Sequence, residues 1–245
     1  MRRDLIPTLV AVSHGTSDPR GQGAVRRLVD EVQQRLPYVD VRQAFVDVES
    51  PDLTSVLAGV DGPVSVVPLL LGAGFHVHVD IATAVAERTA AGRQTWTAAT
   101  LGPDAALTAM LADRLRQAGL GADDAVVLAV AGSSDVRARL SSDRAAAMLA
   151  TRLRRRVRVG HLGGSGRALD DVVAEARATV GPRGRVVAAN YLLAPGFFDT
   201  RLAASAADLV TAPLSSGLRV DDRLVHVVVR RYRAHASHTP LARLG

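Results

Sequence analysis

The sequence runs through the same pattern twice, and no other feature limits the fold as much. Ala125–Ala131 (AVVLAVA) matches Thr8–Ser13 (TLVAVS), both of them short apolar runs suited to buried strands. Gly132-Ser133-Ser134-Asp135 then matches Gly15-Thr16-Ser17-Asp18 at an offset of 117, and Leu169 falls opposite Leu53 at an offset of 116. Leu192–Phe198 (LLAPGFF) repeats Leu70–His76 (LLGAGFH) at an offset of 122. Matches in the same order, with offsets drifting by a few residues, mark an internal duplication. The join falls near Gly119–Ala122, dividing the 245 residues into a first half, 1–119, and a second half, 120–245.

Each half alternates strand-like and helix-like stretches. In the first, Thr8–Ser13 is followed by a loop, His14–Gly23, and by Ala24–Leu36, where Val25, Leu28, Val29, Val32 and Leu36 form a helical stripe ending before Pro37. Val39–Val48 reads as a second strand and Pro51–Ala58 as a short helix with proline in its first turn. Val64–Leu71 is almost wholly apolar, as a parallel strand buried on both faces must be. Asp80 is placed to cap a helix Ile81–Ala90, Gln94–Ala99 reads as a fourth strand and Asp104–Ala118 as a fourth helix. In the second half Asp221–His235 reads as the closing helix, with His235–Gly245 as a tail. The expected fold class is α/β: two tandem doubly wound parallel-sheet domains related by internal duplication.

Composition narrows the chemistry. The chain is 48% hydrophobic but only 3% aromatic, so Val, Leu and Ala must fill its core. No apolar run approaches the ~20 residues that cross a bilayer, and Met1–Pro7 lacks a signal-peptide pattern, which makes the cytoplasm the expected location and excludes a membrane partner. The absence of cysteine excludes disulfides, thiolate metal sites and cysteine nucleophiles. All 30 basic residues are arginine, which excludes Schiff-base and P-loop lysine chemistry. The first half holds 11 Arg against 13 Asp and Glu, a net of −2; the second holds 19 against 11, a net of +8. A basic half can attract nucleic acid, acidic lipid or a polycarboxylate. Its densest run, Arg152–Arg158 (RLRRRVR), has no interleaved aromatics and no recognition motif, so nucleic acid is not an expected partner and the run reads as a solvated helix end leading into a strand.

Ligands of parallel α/β sheets bind at the carboxyl ends of the strands. Three polar loops of the first half fall there: Ser13-His14-Gly15-Thr16-Ser17-Asp18, Asp47-Val48-Glu49-Ser50, and Gly72-Ala73-Gly74-Phe75-His76-Val77-His78. Neighbouring parallel strands bring such ends to within about 5 to 10 Å of one another. Two imidazoles, His14 and His76, and a carboxylate, Asp47 or Glu49, make a donor set for a divalent transition metal. Gly15, Thr16, Ser17, Gly72 and Gly74 are the candidate substrate-binding positions, the glycines leaving room for a bulky ligand near the backbone. The duplication acts as an internal control: the positions of His14 and His76 hold Ala131 and Phe198 in the second half, while Gly132 and Gly196 persist. His78, His161, His226, His235 and His238 are read as surface or structural residues.

These loops resemble those of the class II tetrapyrrole chelatases, specifically the sirohydrochlorin chelatase family in its two-domain form. The matching segments are Ser13–Arg20 (SHGTSDPR), Ala44–Asp47 (AFVD), Pro68–Val77 (PLLLGAGFHV) with Asp80-Ile81, and, as a degenerate repeat, Ala131–Asp135 and Ala194–Phe198. The resemblance implies ATP-independent insertion of Fe2+ or Co2+, with Ni2+ a further candidate, into sirohydrochlorin on the way to siroheme or cobalamin. The metal is then a substrate, and His14 and His76 stand at the family's metal-binding, proton-accepting positions. The family usually has glutamate where this chain has Asp47, so either Asp47 or Glu49 supplies the carboxylate. The resemblance also implies a substrate cleft between the two domains, and a monomer is expected. The sequence around Val159–Gly166 departs most from the pattern.

The chemistry is coherent on its own terms. Metal insertion releases two pyrrole protons, and neutral histidine, with an ordinary pKa of ~6.5, can both hold the ion and take a proton. Arginine suits the eight carboxylates of the macrocycle, so the basic second half is expected to form a wall facing an anionic substrate. Two other readings compete. Ser13-His14-Gly15-Thr16 resembles the nucleophile loop of histidine phosphatases, but Ser13 stands where those enzymes place a phosphate-clamping arginine. A non-catalytic metal or tetrapyrrole carrier would use the same ligands without turnover.

Overall fold

The computed structural model describes residues 6–72, 74 and 77–236. The first half runs β1 (Thr8–Ser13), α1 (Pro19–Arg35), β2 (Val41–Phe45), α2 (Leu53–Ala58), β3 (Val64–Pro68), a π-helical turn (Val77–Ile81) leading into α3 (Ala82–Ala90), β4 (Thr95–Thr97) and α4 (Ala105–Gln117). The second runs β5 (Ala125–Val130), α5 (Val136–Leu153), β6 (Val157–His161), α6 (Leu169–Arg177), β7 (Val186–Tyr191), α7 (Phe197–Ala203), β8 (Leu209–Val210) and α8 (Asp222–Ala236). Each half forms a four-stranded parallel sheet, in the orders β2-β1-β3-β4 and β6-β5-β7-β8. The fold is the expected one, two parallel-sheet α/β domains.

Local chemistry moves several element boundaries. α1 starts at Pro19, five residues before the apolar stripe at Ala24, because the Asp18 carboxylate accepts the Arg20 amide at 2.9 Å and proline needs no amide partner in a first turn. β2 ends at Phe45, short of Val48, whose backbone turns to φ +57°. Asp80 is not the N-cap of α3: it lies inside the π-helical turn, and α3 begins after Ile81 without a side-chain cap. Asp104 does cap α4, and Asp221 binds the amide of Arg223 as α8 begins.

The duplication reappears bond by bond. Asp18 grips Arg20 as Asp135 grips Arg137, through the amide and the guanidinium alike. Thr16 Oγ1 accepts the Asp18 amide as Ser133 Oγ accepts that of Asp135, each at 3.1 Å. Phe45 N donates to Pro51 O as His161 N donates to Arg167 O. Gly15 and Gly132 share φ +93°, and a Cβ on either would collide with a carbonyl oxygen, that of Asp47 or of Gly163. Gly163 is therefore the counterpart of Asp47.

The halves pack as if related by a two-fold axis. Helix α4 lies against α5 and against β7, while α8 makes the exchanged pair with α1 and β3. Arg114 of α4 donates to the carbonyls of Ala212, Pro213 and Leu214 (2.8 Å to Leu214), and Arg231 of α8, 117 residues on, donates to Thr100 O and Leu101 O at 2.7 and 2.9 Å. Tyr232 Oη donates to Pro7 O at 2.7 Å. One cluster of buried side chains accordingly includes Leu9, Leu28 and Leu111 of the first half with Leu128, Leu149, Leu224 and Val228 of the second. Two smaller clusters line the outer faces of the sheets. Among the described residues no helix is long and apolar enough to cross a membrane.

Candidate metal centre at the strand ends of the first half

The β1 and β2 registers set Ser13 beside Phe45, so the loops that follow leave the sheet side by side. Val46 N donates to Ser13 O at 3.0 Å and Asp47 N to His14 O at 3.1 Å, which extends the pairing past the strand ends. Gly15 then turns at positive φ under the Asp47 carbonyl. Two of the three candidate ligand loops are thus joined at the backbone, with His14 and Asp47 directly opposed.

The two carboxylates differ in employment. Glu49 Oε1 accepts the amide of Thr16 at 2.9 Å and is half-buried, holding the β1 loop in place. Asp47 is exposed, and its Oδ1 accepts the amide of its own neighbour Val48 at 2.8 Å. His14 is half-buried at the mouth of the site. Thr16 is held twice, through its amide by Glu49 and through its carbonyl, which accepts from Gln22 Nε2 at 2.9 Å; Ser17 is exposed. His76, with Ala73 and Phe75, lies outside the described residues, as does His238. The side chains of His78 and His235 are likewise outside them. Among the described residues no three potential metal ligands form a group.

The β3 loop reaches across to the other half. The missing Cβ of Gly72 faces Ala138 at 3.7 Å, and that of Gly74 faces Ser133 Oγ at 3.2 Å. In exchange, Gly21 lies under the Pro195 carbonyl and Gly196 against Thr16 Oγ1 at 3.1 Å. The strand-end loops of each half therefore meet the opening turn of the helix that follows the first strand of the other.

In the second half the corresponding corner is apolar. Ala131, Gly163 and Phe198 take the places of His14, Asp47 and His76, and a Cβ on Gly163 would touch Phe198 Cε1 at 3.4 Å and Ala131 O at 3.5 Å. Phe198 packs edge-on to Phe197, with ring centroids 5.2 Å apart. His161, read from sequence as structural, is buried at the end of β6 where the first half has Phe45, and burial pushes its pKa below the ordinary value.

The densest arginine run lies away from the candidate site, as a helix end leading into a strand. The Arg152–Arg158 run closes α5 and opens β6, so it sits at the amino ends of the strands, opposite the loops. There Arg155 donates to the carbonyls of Gly121 and Asp124, and the run lines a cleft of about 320 Å3 with Asp123 and Thr179. Arg158, Arg167, Arg177, Arg185, Arg223, Arg230 and Arg231 are each paired with a carboxylate.

Residues 8–118 match the CbiX family model. No curated protein matches the chain by sequence. Among solved structures, SirB from Bacillus subtilis with Fe3+ is 18% identical, with a TM-score of 0.77 over 95% of this chain and 96% of that one. The sirohydrochlorin chelatase SirB from Bacillus subtilis subspecies spizizenii, in complex with cobalt, is 16% identical, with a TM-score of 0.73 over 97% and 98%. CbiX, the terminal enzyme for biosynthesis of siroheme in denitrifying bacteria, is 16% identical, with a TM-score of 0.59 over 91% and 98%. Residues 8–118, the half that carries His14, Asp47 and Glu49, are thus similar to the CbiX family, and the two halves together share the fold of SirB.

Proposed function

We propose that the protein is a sirohydrochlorin chelatase that inserts Fe2+ or Co2+ without ATP, using His14, His76 and Asp47 at the strand ends of the first half. The observation that carries the site is the dead corner of the second half. Ala131, Gly163 and Phe198 converge there, and the hydrogen bonds that build that corner recur in the first half around His14 and Asp47. The same backbone with imidazoles and a carboxylate in those three positions makes a metal centre. The family match of residues 8–118 and the iron and cobalt held by SirB support the choice of reaction.

Asp47, not Glu49, is the third ligand in this reading. Glu49 already holds the Thr16 amide and would surrender that bond to reach a metal, whereas the exposed Asp47 is attached at the backbone to His14. The metal arrives as a substrate. His14 and His76 hold it loosely enough to hand it over, and as neutral bases they accept the pyrrole protons that insertion releases. The anionic macrocycle sits in the cleft between the halves, above the strand ends.

The test is to mix the protein with sirohydrochlorin and Fe2+ or Co2+ and follow the absorption of the macrocycle. Wild type accelerates insertion over the spontaneous rate, and His14→Ala, His76→Ala and Asp47→Ala each lose at least about 100-fold, the usual scale of a lost acid–base group. Glu49→Gln keeps most of the rate. No acceleration by wild type with either metal, or acceleration that survives both histidine substitutions, overturns the proposal. Tight retention of the metallated product without turnover would instead make the protein a carrier.

A further inference from the structure

We infer that Tyr191, a side chain of the second half, is a positioning residue for the metal centre of the first: with metal bound, its hydroxyl donates to the carbonyl of Leu71, at the root of the loop that carries His76. The inference rests on the chelatase reading and adds to it a group that holds a ligand loop without touching the ion.

The hydroxyl is buried with nothing to bond. Tyr191 ends β7 and is 3% exposed, yet its Oη has no hydrogen-bond partner. A buried donor left unpaired is destabilising, and folded chains keep few of them. Tyr232, equally buried, shows the ordinary state: its hydroxyl donates to Pro7 O at 2.7 Å. Burial pushes the Tyr191 pKa up and the nearby Asp104 charge adds to this, so the group keeps its proton and serves as a donor.

The acceptor follows from what surrounds that oxygen. A Cβ on Gly102 would lie 2.1 Å from Tyr191 Oη and 2.6 Å from Leu71 O, so the two oxygens flank one point of backbone. That backbone is itself braced, since Arg231 of α8 holds the carbonyls of Thr100 and Leu101. Among the described residues the Leu71 carbonyl accepts no hydrogen bond.

The duplication shows what is missing there. Leu101 N donates to Leu70 O at 2.8 Å, as Leu214 N donates to Leu192 O at 2.9 Å. One residue further on, Ser215 N donates to Leu193 O at 2.6 Å, but Gly102 N makes no matching bond to Leu71 O. The strand end that leads to His76 has thus lost a backbone bond that the strand end leading to Phe198 keeps. The position of Tyr191 is held by Leu69 in the first half, so the hydroxyl occurs only where it reaches the weakened root. Packing alone would be served as well by a leucine or a phenylalanine.

Co2+ binding to the full chain without sirohydrochlorin, measured beside the denaturation midpoint of the metal-free protein, tests the inference. Tyr191→Phe should weaken Co2+ binding about fivefold, the scale of one net hydrogen bond. Its metal-free midpoint should be unchanged or higher, because an unpaired hydroxyl is gone. Tyr232→Phe removes a bonded hydroxyl and should do the reverse, with a lower midpoint and unchanged Co2+ affinity. In insertion assays Tyr191→Phe should raise the KM for Co2+ and leave that for sirohydrochlorin as it is. Wild-type Co2+ affinity in Tyr191→Phe, or an equal loss in both variants, overturns the inference. If wild type binds no Co2+, the metal centre itself is wrong and the role of Tyr191 falls with it.

Discussion

At the scale of single residues, the candidate site depends on a glycine as much as on its proposed ligands. Gly15 sits at φ +93° directly under the Asp47 carbonyl. Gly15→Ala should cost about 2 kcal/mol through the left-handed backbone and the collision, and should separate His14 from Asp47. Denaturant unfolding measures the first effect, and a weakened Co2+ affinity the second. His14, Asp47 and the apolar replacements in the repeat were legible in sequence because chemistry-bearing residue types stand out among small ones. The difference between Asp47 and Glu49 was not legible. Both lie two residues apart on one loop, and only the bond from the Thr16 amide to Glu49 separates a structural carboxylate from an available one.

At the scale of elements, caps and end-pairings decide where each strand and helix stops. Asp124 is the clearest case. Its carboxylate accepts the amides of Gly121 and Arg185 and the Arg185 guanidinium at 2.7 Å, joining the linker between halves to β5 and β7. The Arg185 bonds, with the backbone amides, hold its pKa down at about 2. A depressed carboxylate contributes stability that is complete above its unfolded value of ~3.9 and is lost as pH falls through the folded value. Asp124→Asn should therefore cost about 2 kcal/mol at neutral pH. The gap from wild type should shrink between pH 4 and pH 2, as denaturation midpoints across that range will report. Periodicity found the strands and α-helices of the first half but misplaced the start of α1, because Pro19–Gly23 carries no apolar stripe and the helix there is set by Asp18. It also misread Asp80 as a cap, since a π-helical turn has no distinctive residue pattern.

At the scale of the whole molecule, the two halves are not beads on a string. Helix α8 covers β3 of the first sheet and α4 covers β7 of the second, so each half completes the other. Leu224→Ala, at a fully buried position of α8, should cost about 2–5 kcal/mol. It should lower a single unfolding transition shared by both halves, and hydrogen exchange in β3 should accelerate along with that in α8. Two separate transitions, only one of them shifted, would contradict this exchange of helices.

The sequence by itself determined the duplication and the parallel α/β class, and it named the candidate metal ligands. Each of these follows from local pattern or residue type, which survive without coordinates. Tertiary structure decided the partnership: which helix covers which sheet, which arginines form ion pairs, and which loops of one half meet the helix starts of the other. Those depend on contacts about 100 residues or more apart in the chain, as between Arg114 and Leu214 or Arg231 and Leu101. No periodicity records such contacts, because either half could satisfy its own pattern with its own helix.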